Sequence, residues 1–287
     1  EFPVCCGEKG IGKIDLGFNN VLSRIVSISG GTVTNAVAGK AQAVVRDVER
    51  ASLPSSHGIE ISYDNGNATI TVEGKTAHAA MPHDGVNAIS VLAAYLLDNL
   101  QFEGGERLML EFMRDICGDF LGTKLGIAAN DALMGELTCV GGLLKTENGK
   151  VIQNFNIRFP LPGSWDSIIS AVTASAAKYG ATVINHSYSE GYSFSPEKPE
   201  IMALTNACEA VTGEDSKPYT MGGGTYARSF PNTVAFGSTL QKHRGLLGEG
   251  RGKAHDRDEY LSVAEFESSV KIFILSIINI AKLKEKE

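Results

Sequence analysis

The chain has 287 residues, of which 43% are hydrophobic and 21% charged, and its net charge at neutral pH is −7. This composition is ordinary for a soluble globular protein, and the length favours two domains. The negative charge argues against nucleic acid as a partner, because no basic stripe is present to displace counterions from phosphates. The longest apolar run, residues 272–281, is shorter than the ~20 residues that span a bilayer, so no membrane segment is expected.

The cysteines indicate the cellular compartment, and the first residue indicates whether the chain is part of a longer one. Five cysteines, an odd number, occur without the spacing of a zinc finger, which favours a reducing compartment and predicts a cytoplasmic protein. The first residue is Glu1 rather than methionine, and no secretory signal follows it. We therefore expect a fragment, a processed product or the ordered portion of something longer.

Alternation of apolar and polar residues predicts several strands early in the chain. The expected strands cover residues 1–20, 21–29, 32–46, 59–63 and 68–72. The last two flank Asn65 and Gly66, and an Asn-Gly pair between alternating stretches is a strong signal of a tight β-hairpin.

After Pro82 the apolar period changes to that of a helix. Apolar residues at i, i+4, i+7 and i+8 predict a helix over residues 86–100, with Asp84 as its N-cap. The elements expected next are helical pieces within 105–135, strands at 138–144 and 150–159, a helix at 165–179 and a strand at 182–187. Residues 20–190 thus contain two loosely similar halves, which predicts an α+β domain with helices over one sheet face.

A cluster of Ser, Gly and Pro at residues 189–199 predicts a domain boundary. Beyond it, the expected elements are a helix at 200–211, short strands ending at residues 221 and 236, and a helix at 263–284. This alternation is typical of a parallel α/β domain. Two or three strands would leave such a sheet with an open edge, so we expect further strands from preceding chain.

His78 is the first candidate for chemistry. It lies in a polar segment, residues 74–82, between the hairpin and the next helix. Its imidazole could donate a hydrogen bond to a developing oxyanion. A solvated histidine without a function is the other interpretation.

Three other features could bind a ligand or a metal ion. The glycines after residue 221 would let backbone N–H groups approach an anion, although a plain strand-to-helix turn fits equally well. Arg158, in a strand, could clamp a carboxylate or cap a sheet edge. His255 precedes several acidic residues and could bind a metal ion, but a metal site needs at least three ligands.

Together these stretches resemble the co-catalytic zinc peptidases related to carboxypeptidase G, aminoacylase and carnosinase, most closely the peptidase V-like (Xaa-His) dipeptidases. The similarity covers nearly the whole chain and is strongest at residues 1–10, 74–87, 153–160, 222–228 and 255–261. The resemblance implies a catalytic α/β domain that holds two zinc ions and carries an inserted lid. In this type the lid is enlarged, so that a monomer mimics the dimer of its relatives.

The resemblance also implies domains and residue roles. Residues 1–19 and 191–287 would belong to the catalytic domain, and residues 20–190 would form the two-halved lid. His78 and Asn35 would stabilise the oxyanion. The residues expected to hold the substrate's carboxylate, or to support the turn that does, are Arg158, Gly222, Gly223, Gly224, Thr225 and Arg228.

The expected activity is hydrolysis of dipeptides with a free amino terminus, either broad or with Xaa-His preference. His255 would ligate one zinc ion, whereas the other ligands and the general base would precede Glu1. We therefore expect this chain alone to be catalytically silent, and to be a monomer or a weak dimer. Two other functions stay open: a non-catalytic binding or dimerisation module, and an aminoacylase or deacylase of the same family, against which the two-halved lid argues.

Overall fold

The computed structural model describes residues 1–19, 21–49, 52–161, 163–240, 246–248, 251–252 and 258–284. The chain divides into two compact units. We call Gly10–Glu190 the sheet unit, and Glu1–Lys9 with Gly191–Glu287 the split unit.

The strands and helices alternate in an order close to the expected one. The strands are β1 (Cys5–Glu8), β2 (Gly10–Phe18), β3 (Ile25–Gly30), β4 (Lys40–Arg46), β5 (Ile59–Asp64), β6 (Asn67–Glu73), β7 (Asn130–Asp131), β8 (Gly135–Glu136), β9 (Thr138–Glu147), β10 (Lys150–Phe159), β11 (Ala181–Ser189), β12 (Tyr192–Ser193) and β13 (Tyr219–Met221). The α-helices are α1 (Ala88–Asn99), α2 (Gly104–Ile116), α3 (Trp165–Ala177), α4 (Pro199–Thr212) and α5 (Val263–Lys284).

In the part of the sheet unit that the structure describes, eight antiparallel strands form one sheet in the order β11-β2-β10-β9-β3-β4-β6-β5. Alternate side chains of these strands pack against the helices in one apolar core. Phe155 of β10, for example, meets Phe112 of α2 edge to face, with ring centroids 5.9 Å apart. The predicted mixed α/β class, with a sheet covered by helices, is confirmed.

The predicted hairpin is present as β5 and β6. Asn65 and Gly66 have φ values of 47° and 78°, which is the left-handed conformation that a two-residue hairpin turn of this kind requires. The limits predicted for the domains, 20–190 and 191–287, stay predictions; in the structure, β2 (Gly10–Phe18) also lies in the large sheet.

Several local predictions were wrong. The strand expected at 32–46 begins only at Lys40, because the residues before it pair with the segment around His78 instead. Asp84 does not cap α1, since it lies in a 3₁₀ turn; the side chain of Asn87 accepts the N–H of Ile89 and caps the helix. The glycine-rich part of 105–135 is not helical beyond Ile116. Residues 233–236 form no strand, but a single bridge through Ala235.

The described part of the split unit has a three-stranded sheet, β12-β1-β13, in which β1 pairs antiparallel with β12 and parallel with β13. Helices α4 and α5 pack against each other. Phe2, Cys208 and Ile272 lie in one of its small apolar clusters. None of the helices that the structure describes combines the length and hydropathy that a bilayer-spanning segment needs.

All five cysteines are unpaired and buried. Burial raises the pKa of every thiol, to about 11 for Cys5 and to about 12 for Cys208. Burial has the same effect on Cys6, Cys117 and Cys139. The thiols therefore stay protonated at neutral pH, and a protonated thiol is a poor nucleophile.

The two halves of the large sheet meet between β3 and β9. One register pair, Gly30 with Leu144, joins these strands in the described part of the chain. The hydroxyl of Thr146 accepts the N–H of Ile28 at 2.9 Å and donates to its carbonyl oxygen at 2.8 Å. Gly31 has a φ of 73°, and a Cβ there would overlap the carbonyl oxygen of Gly142.

Replacing Gly31 by alanine should therefore destabilise the protein more than replacing Gly66 by alanine. Both positions have positive φ, which costs an alanine about 1–2 kcal/mol. At Gly31 an added Cβ would also overlap backbone atoms of Gly142, whereas at Gly66 nothing lies within 4 Å of it. Urea unfolding of the two variants measures the difference. If both variants lost the same free energy of unfolding, the junction between β3 and β9 would tolerate an added methyl group.

Candidate functional site

The backbone around Asn35 pairs with the backbone around His78. The N–H of Ala79 donates to the carbonyl oxygen of Asn35 at 3.0 Å, and Ala36 and His78 form an isolated antiparallel bridge. Both the Asn35 and the His78 side chains are exposed. Two residues that are 43 positions apart in the sequence thus lie on neighbouring strands of backbone.

The sheet holds this paired segment in place. The buried hydroxyl of Thr138, the first residue of β9, donates to the carbonyl oxygen of Ala79 at 2.8 Å. Val37 and Ala79 also pack against Val140 of β9 in a small apolar cluster. Thr138 is the register partner of Arg158 on β10, so the residue after His78 is tied to the strand position opposite Arg158.

Arg158 is 95% buried, since only 5% of it is exposed. Its Nε donates to Oδ1 of Asn156 at 2.8 Å, and the two side chains share one face of β10 because they are two residues apart. Asn156 is completely buried, and its Nδ2 has no hydrogen-bond partner among the described residues. The bond between these side chains fixes the plane of the guanidinium group.

The environment of His78 favours the neutral imidazole. Its Nδ1 accepts the backbone N–H of Ala80 at 3.1 Å, so the neutral ring carries its proton on Nε2. Partial loss of hydration lowers the pKa of His78, and the positive charge of Arg158 lowers it further. At neutral pH the ring is therefore a hydrogen-bond donor through Nε2 and carries no charge.

The split unit has a second polar cluster, centred on the fully buried carboxylate of Glu8. The N–H of Thr225 donates to both oxygens of this carboxylate, at 3.1 and 3.0 Å, and the Thr225 hydroxyl also donates to it. Nε of Arg228 donates to Oε2 at 2.9 Å, and the hydroxyl of Tyr192 donates to Oε1 at 3.3 Å. An internal carboxylate thus occupies the donors of Thr225 and the Nε of Arg228.

Burial and the neighbouring donors shift the pKa of Glu8 in opposite directions. Burial alone would raise the pKa of Glu8, but the hydrogen bonds from Thr225 and Arg228 and the charge of Arg228 together hold this pKa below its usual range. Burial also raises the pKa of Tyr192, and the neighbouring Glu8 charge adds to the effect. The cluster therefore contains an ionised carboxylate and a neutral phenol at neutral pH.

Arg228 also connects the turn to β1. Its Nη2 donates to the carbonyl oxygen of Lys9 at 2.8 Å and to that of Gly223 at 3.4 Å. The support of this turn by Arg228, and carboxylate binding by the residues of the turn, stay predictions. The turn residues are Gly222, Gly223, Gly224 and Thr225.

The prediction of one zinc ligand in this chain, His255, stays a prediction, because the described part of the chain does not test it. No three His, Cys, Asp or Glu side chains come together there as a metal site requires. His255, the predicted zinc ligand, lies outside the described residues. A zinc ion therefore does not fit the described side chains, and the chemistry considered below involves only those side chains.

Four polar residues of these clusters, Asn156, Glu8, Thr138 and Tyr192, were not singled out in the sequence. Asn156 could have been found, because it shares a strand face with Arg158 at the i−2 position. Glu8 lies within one of the stretches of resemblance, but nothing local indicates that Thr225 and Arg228, more than 200 residues away, are its partners. The sequence around Thr138 contains no signal for its bond to Ala79.

Comparisons with known proteins agree with this chain being related to peptidases. Residues 65–136 match the family model of the peptidase dimerisation domain. The chain is 27% identical over 302 residues to a candidate dipeptidase of Staphylococcus haemolyticus, and 27% identical over 299 residues to the candidate dipeptidase YtjP of Bacillus subtilis. Each alignment covers 98% of this chain but only 62% of the relative, so the chain spans less than two thirds of the length of these proteins.

Solved structures show a weaker likeness. The dipeptidase Dug1p of Saccharomyces cerevisiae is 12% identical, with a TM-score of 0.43, over 97% of this chain and 56% of its own. The M20 family metallo-carboxypeptidase Sso-CP2 of Sulfolobus solfataricus is also 12% identical, with a TM-score of 0.43, over 96% of this chain and 60% of its own.

Replacing Arg158 by methionine should raise the pKa of His78 towards, but not up to, its ordinary value of about 6.5. The substitution removes the neighbouring positive charge, while the ring keeps its partial burial. Titration of the histidine ring protons by NMR measures the change. Arg158→Lys keeps the charge and should keep the pKa of His78 low. Arg107→Met, at an exposed position of α2, is the control. A His78 pKa that is the same in all variants would contradict this geometry.

The stability of the protein should depend on the ionisation of Glu8. The pKa of Glu8 is lower in the folded than in the unfolded state, where it is about 4.3. The ionised Glu8 therefore contributes its full stabilisation above the unfolded-state pKa, and this stabilisation is lost as the pH falls through the lower, folded-state pKa. We expect Glu8→Gln to lower the free energy of unfolding at pH 6 by about 3–5 kcal/mol, because Arg228 loses its partner.

Urea unfolding at pH 6 and at pH 3 checks this expectation. The difference in free energy of unfolding between the native chain and Glu8→Gln should be smaller in acid, because the Glu8 carboxylate of the native chain becomes protonated there. Glu200→Gln, at an exposed position of α4, is the control, and its free energy of unfolding should match that of the native chain at both pH values. A difference in free energy of unfolding that is the same at both pH values would exclude the proposed role of the Glu8 charge.

Proposed function

We propose that the chain belongs to the M20 metallopeptidase family and forms the substrate-holding part of a dipeptidase. The alignment with the two bacterial candidate dipeptidases, over nearly all of this chain, supports the substrate class. The observation that carries the proposal is geometric: Thr138, the register partner of Arg158, donates to the carbonyl oxygen of Ala79, the residue after His78. The charge of Arg158 also lowers the pKa of His78, in line with this arrangement.

In this proposal Arg158 binds the carboxylate at the C-terminal end of a dipeptide. A guanidinium group offers two parallel N–H donors that match a carboxylate, and such charge-assisted bonds are stronger than neutral ones. Burial makes the contact stronger still, since little water competes for the groups. Asn156 contributes by keeping the guanidinium plane fixed before the ligand arrives.

His78 and Asn35 act on the scissile carbonyl group. The Nε2–H of neutral His78 donates to the carbonyl oxygen as that oxygen gains negative charge, and the side-chain amide of Asn35 adds a second donor. A donor of this kind stabilises the transition state more than the bound substrate. Loss of one donor in a complete enzyme of this type would cost about 2.7–4 kcal/mol of barrier.

We propose that the described residues bind the substrate but do not hydrolyse it by themselves. The two zinc ions implied by the resemblance would need several ligands, and no suitable group of side chains occurs in the described ranges. The unpaired, buried cysteines support work in a reducing compartment such as the cytoplasm. The preference for Xaa-His dipeptides is part of the proposal.

The match to a dimerisation domain favours a second candidate function, self-association through the sheet unit. The matched residues, 65–136, include β6 and helices α1 and α2. In this alternative the sheet unit would be an assembly module and the chain would not need to bind dipeptides.

Ligand titration of the isotope-labelled chain by NMR tests the main proposal. Ala-His should shift the signals of His78 and Asn35, whereas its C-terminal amide should bind at least about tenfold more weakly, because it cannot form the charge-assisted contact. Arg158→Met should lose affinity to a similar extent. His78→Ala should bind Ala-His almost normally, since its hydrogen bond develops in the transition state.

One further ligand and a turnover assay distinguish the alternatives. Tighter binding of N-acetyl-alanine than of Ala-His would favour an acylase, and no binding of either would favour the assembly module. Turnover of Ala-His in the presence of zinc or manganese should not exceed that of the His78→Ala control. Turnover above that control would refute the statement that the chain is silent.

A further inference from the structure

Gly142 of β9 lies directly against the segment that carries Asn35. A Cβ added to Gly142 would stand 2.7 Å from the carbonyl oxygen of Thr34 and 2.8 Å from that of Ala36, the two neighbours of Asn35 in the sequence. Both oxygens belong to the backbone, so neither can rotate away as the end of a side chain would. The absence of a side chain at position 142 therefore sets how closely this segment approaches β9.

Gly142 is also the extra residue of a β-bulge. The register partners of Leu143 and Gly141 are adjacent residues of β10, so Gly142 between them has no partner on that strand. The φ of Gly142 is not positive, unlike that of Gly31, so the left-handed strain that an alanine meets at position 31 does not arise at position 142. Position 142 needs glycine because of what lies against it, and not because of its own conformation.

Two buried side-chain amides hold the bulge in place. Nε2 of Gln153, which is completely buried, donates to the carbonyl oxygen of Leu143 at 3.2 Å and to that of Asn154 at 2.9 Å. Nδ2 of Asn87 donates to the carbonyl oxygen of Gly141 at 2.9 Å, while its Oδ1 caps helix α1. The bulge is thus tied to β10 and to α1, so a methyl group added at position 142 would displace the Asn35 segment rather than β9.

His78 is held by a different contact of the same strand. The residue after it, Ala79, accepts the hydroxyl of Thr138, which lies four positions before Gly142. At the usual rise of a strand, these two contacts are about 13 Å apart along β9. A displacement that starts at Gly142 therefore reaches Asn35 first, and reaches His78 only through the backbone bonds between the two segments.

We propose that Gly142 is a positioning residue for Asn35, because it lets the segment lie close enough to β9 for the Asn35 amide to act on the same carbonyl group as His78. The inference rests on the proposed function, in which both side chains donate to the oxygen that gains negative charge. Such a donor is effective only within hydrogen-bond distance of the place that the oxyanion will occupy. Gly142 contacts no substrate in this arrangement, so its effect on binding should appear only through Asn35.

Two ligands separate positioning from a general structural effect. A phosphinic analogue of Ala-His, in which a tetrahedral phosphinate replaces the peptide bond, carries charged oxygen atoms where the oxyanion would form. Its affinity relative to that of Ala-His, measured by calorimetry with the full chain, reports the oxyanion donors. Gly142→Ala and Asn35→Ala should each lower this ratio by about tenfold or more, because a charge-assisted hydrogen bond is lost. Ala-His itself should bind both variants almost normally, since Arg158 is untouched.

The double variant, Gly142→Ala with Asn35→Ala, shows whether the effect passes through Asn35. If it does, the double variant loses no more of the ratio than Asn35→Ala alone, because residues that act as one unit are not additive. Losses that add would overturn the proposal, and so would a native ratio in Gly142→Ala. Gly66→Ala, where nothing lies within 4 Å of the added Cβ, is the matched control and should keep the native ratio.

A native ratio in Asn35→Ala would mean instead that the proposed role of Asn35 fails, and the role of Gly142 would fail with it. A measurement on the native chain covers the case in which Gly142→Ala does not fold. The α protons of Gly142 should show a nuclear Overhauser effect to the N–H of Asn35, because the Thr34 carbonyl carbon, to which that nitrogen is bonded, would stand 3.0 Å from an added Cβ. Absence of this effect would overturn the proposal.

Discussion

The hydrogen bond from Thr138 to the carbonyl oxygen of Ala79 is the contact on which the candidate site depends. Residues 33–38 and 75–81 lie outside the regular sheet, and on their own they would be ordinary surface loops. Their mutual backbone pairing and this one buried hydroxyl fix them against β9. Because Thr138 lies opposite Arg158, the same contact sets where the His78 ring stands with respect to a buried positive charge.

Each unit holds a charged side chain in its interior. In the split unit, Glu8 meets an arginine and several neutral donors, so its charge is compensated within the fold. In the sheet unit, Nε of Arg158 donates to the side chain of Asn156, and the charge of Arg158 lowers the pKa of His78. A positive charge that shifts the pKa of a neighbouring histidine is a feature that binding sites often share.

The parts of the fold that could be predicted are those governed by local chemistry. The hairpin of β5 and β6 follows from Asn65 and Gly66, which need no distant residue to adopt their turn. The N-cap of α1 was wrong because Asp84 and Asn87 are both suitable caps, and the 3₁₀ turn at Pro82 decides between them. The ring of donors around Glu8 could not be predicted, since it joins residues 217 positions apart. Periodicity also identified α5 as a helix, but a pattern of two unlike faces does not say which face is covered.

The burial of every native thiol has a practical consequence for measuring this protein. A single cysteine introduced on the surface, for example in place of Ile274 or Asn35, would be the one readily alkylated sulfur in the described part of the chain. Spin labels or fluorophores could then be attached at chosen points without first removing the native cysteines. Distances between such labels, within one copy or between two, would report the arrangement of the units and the association of the chain in solution.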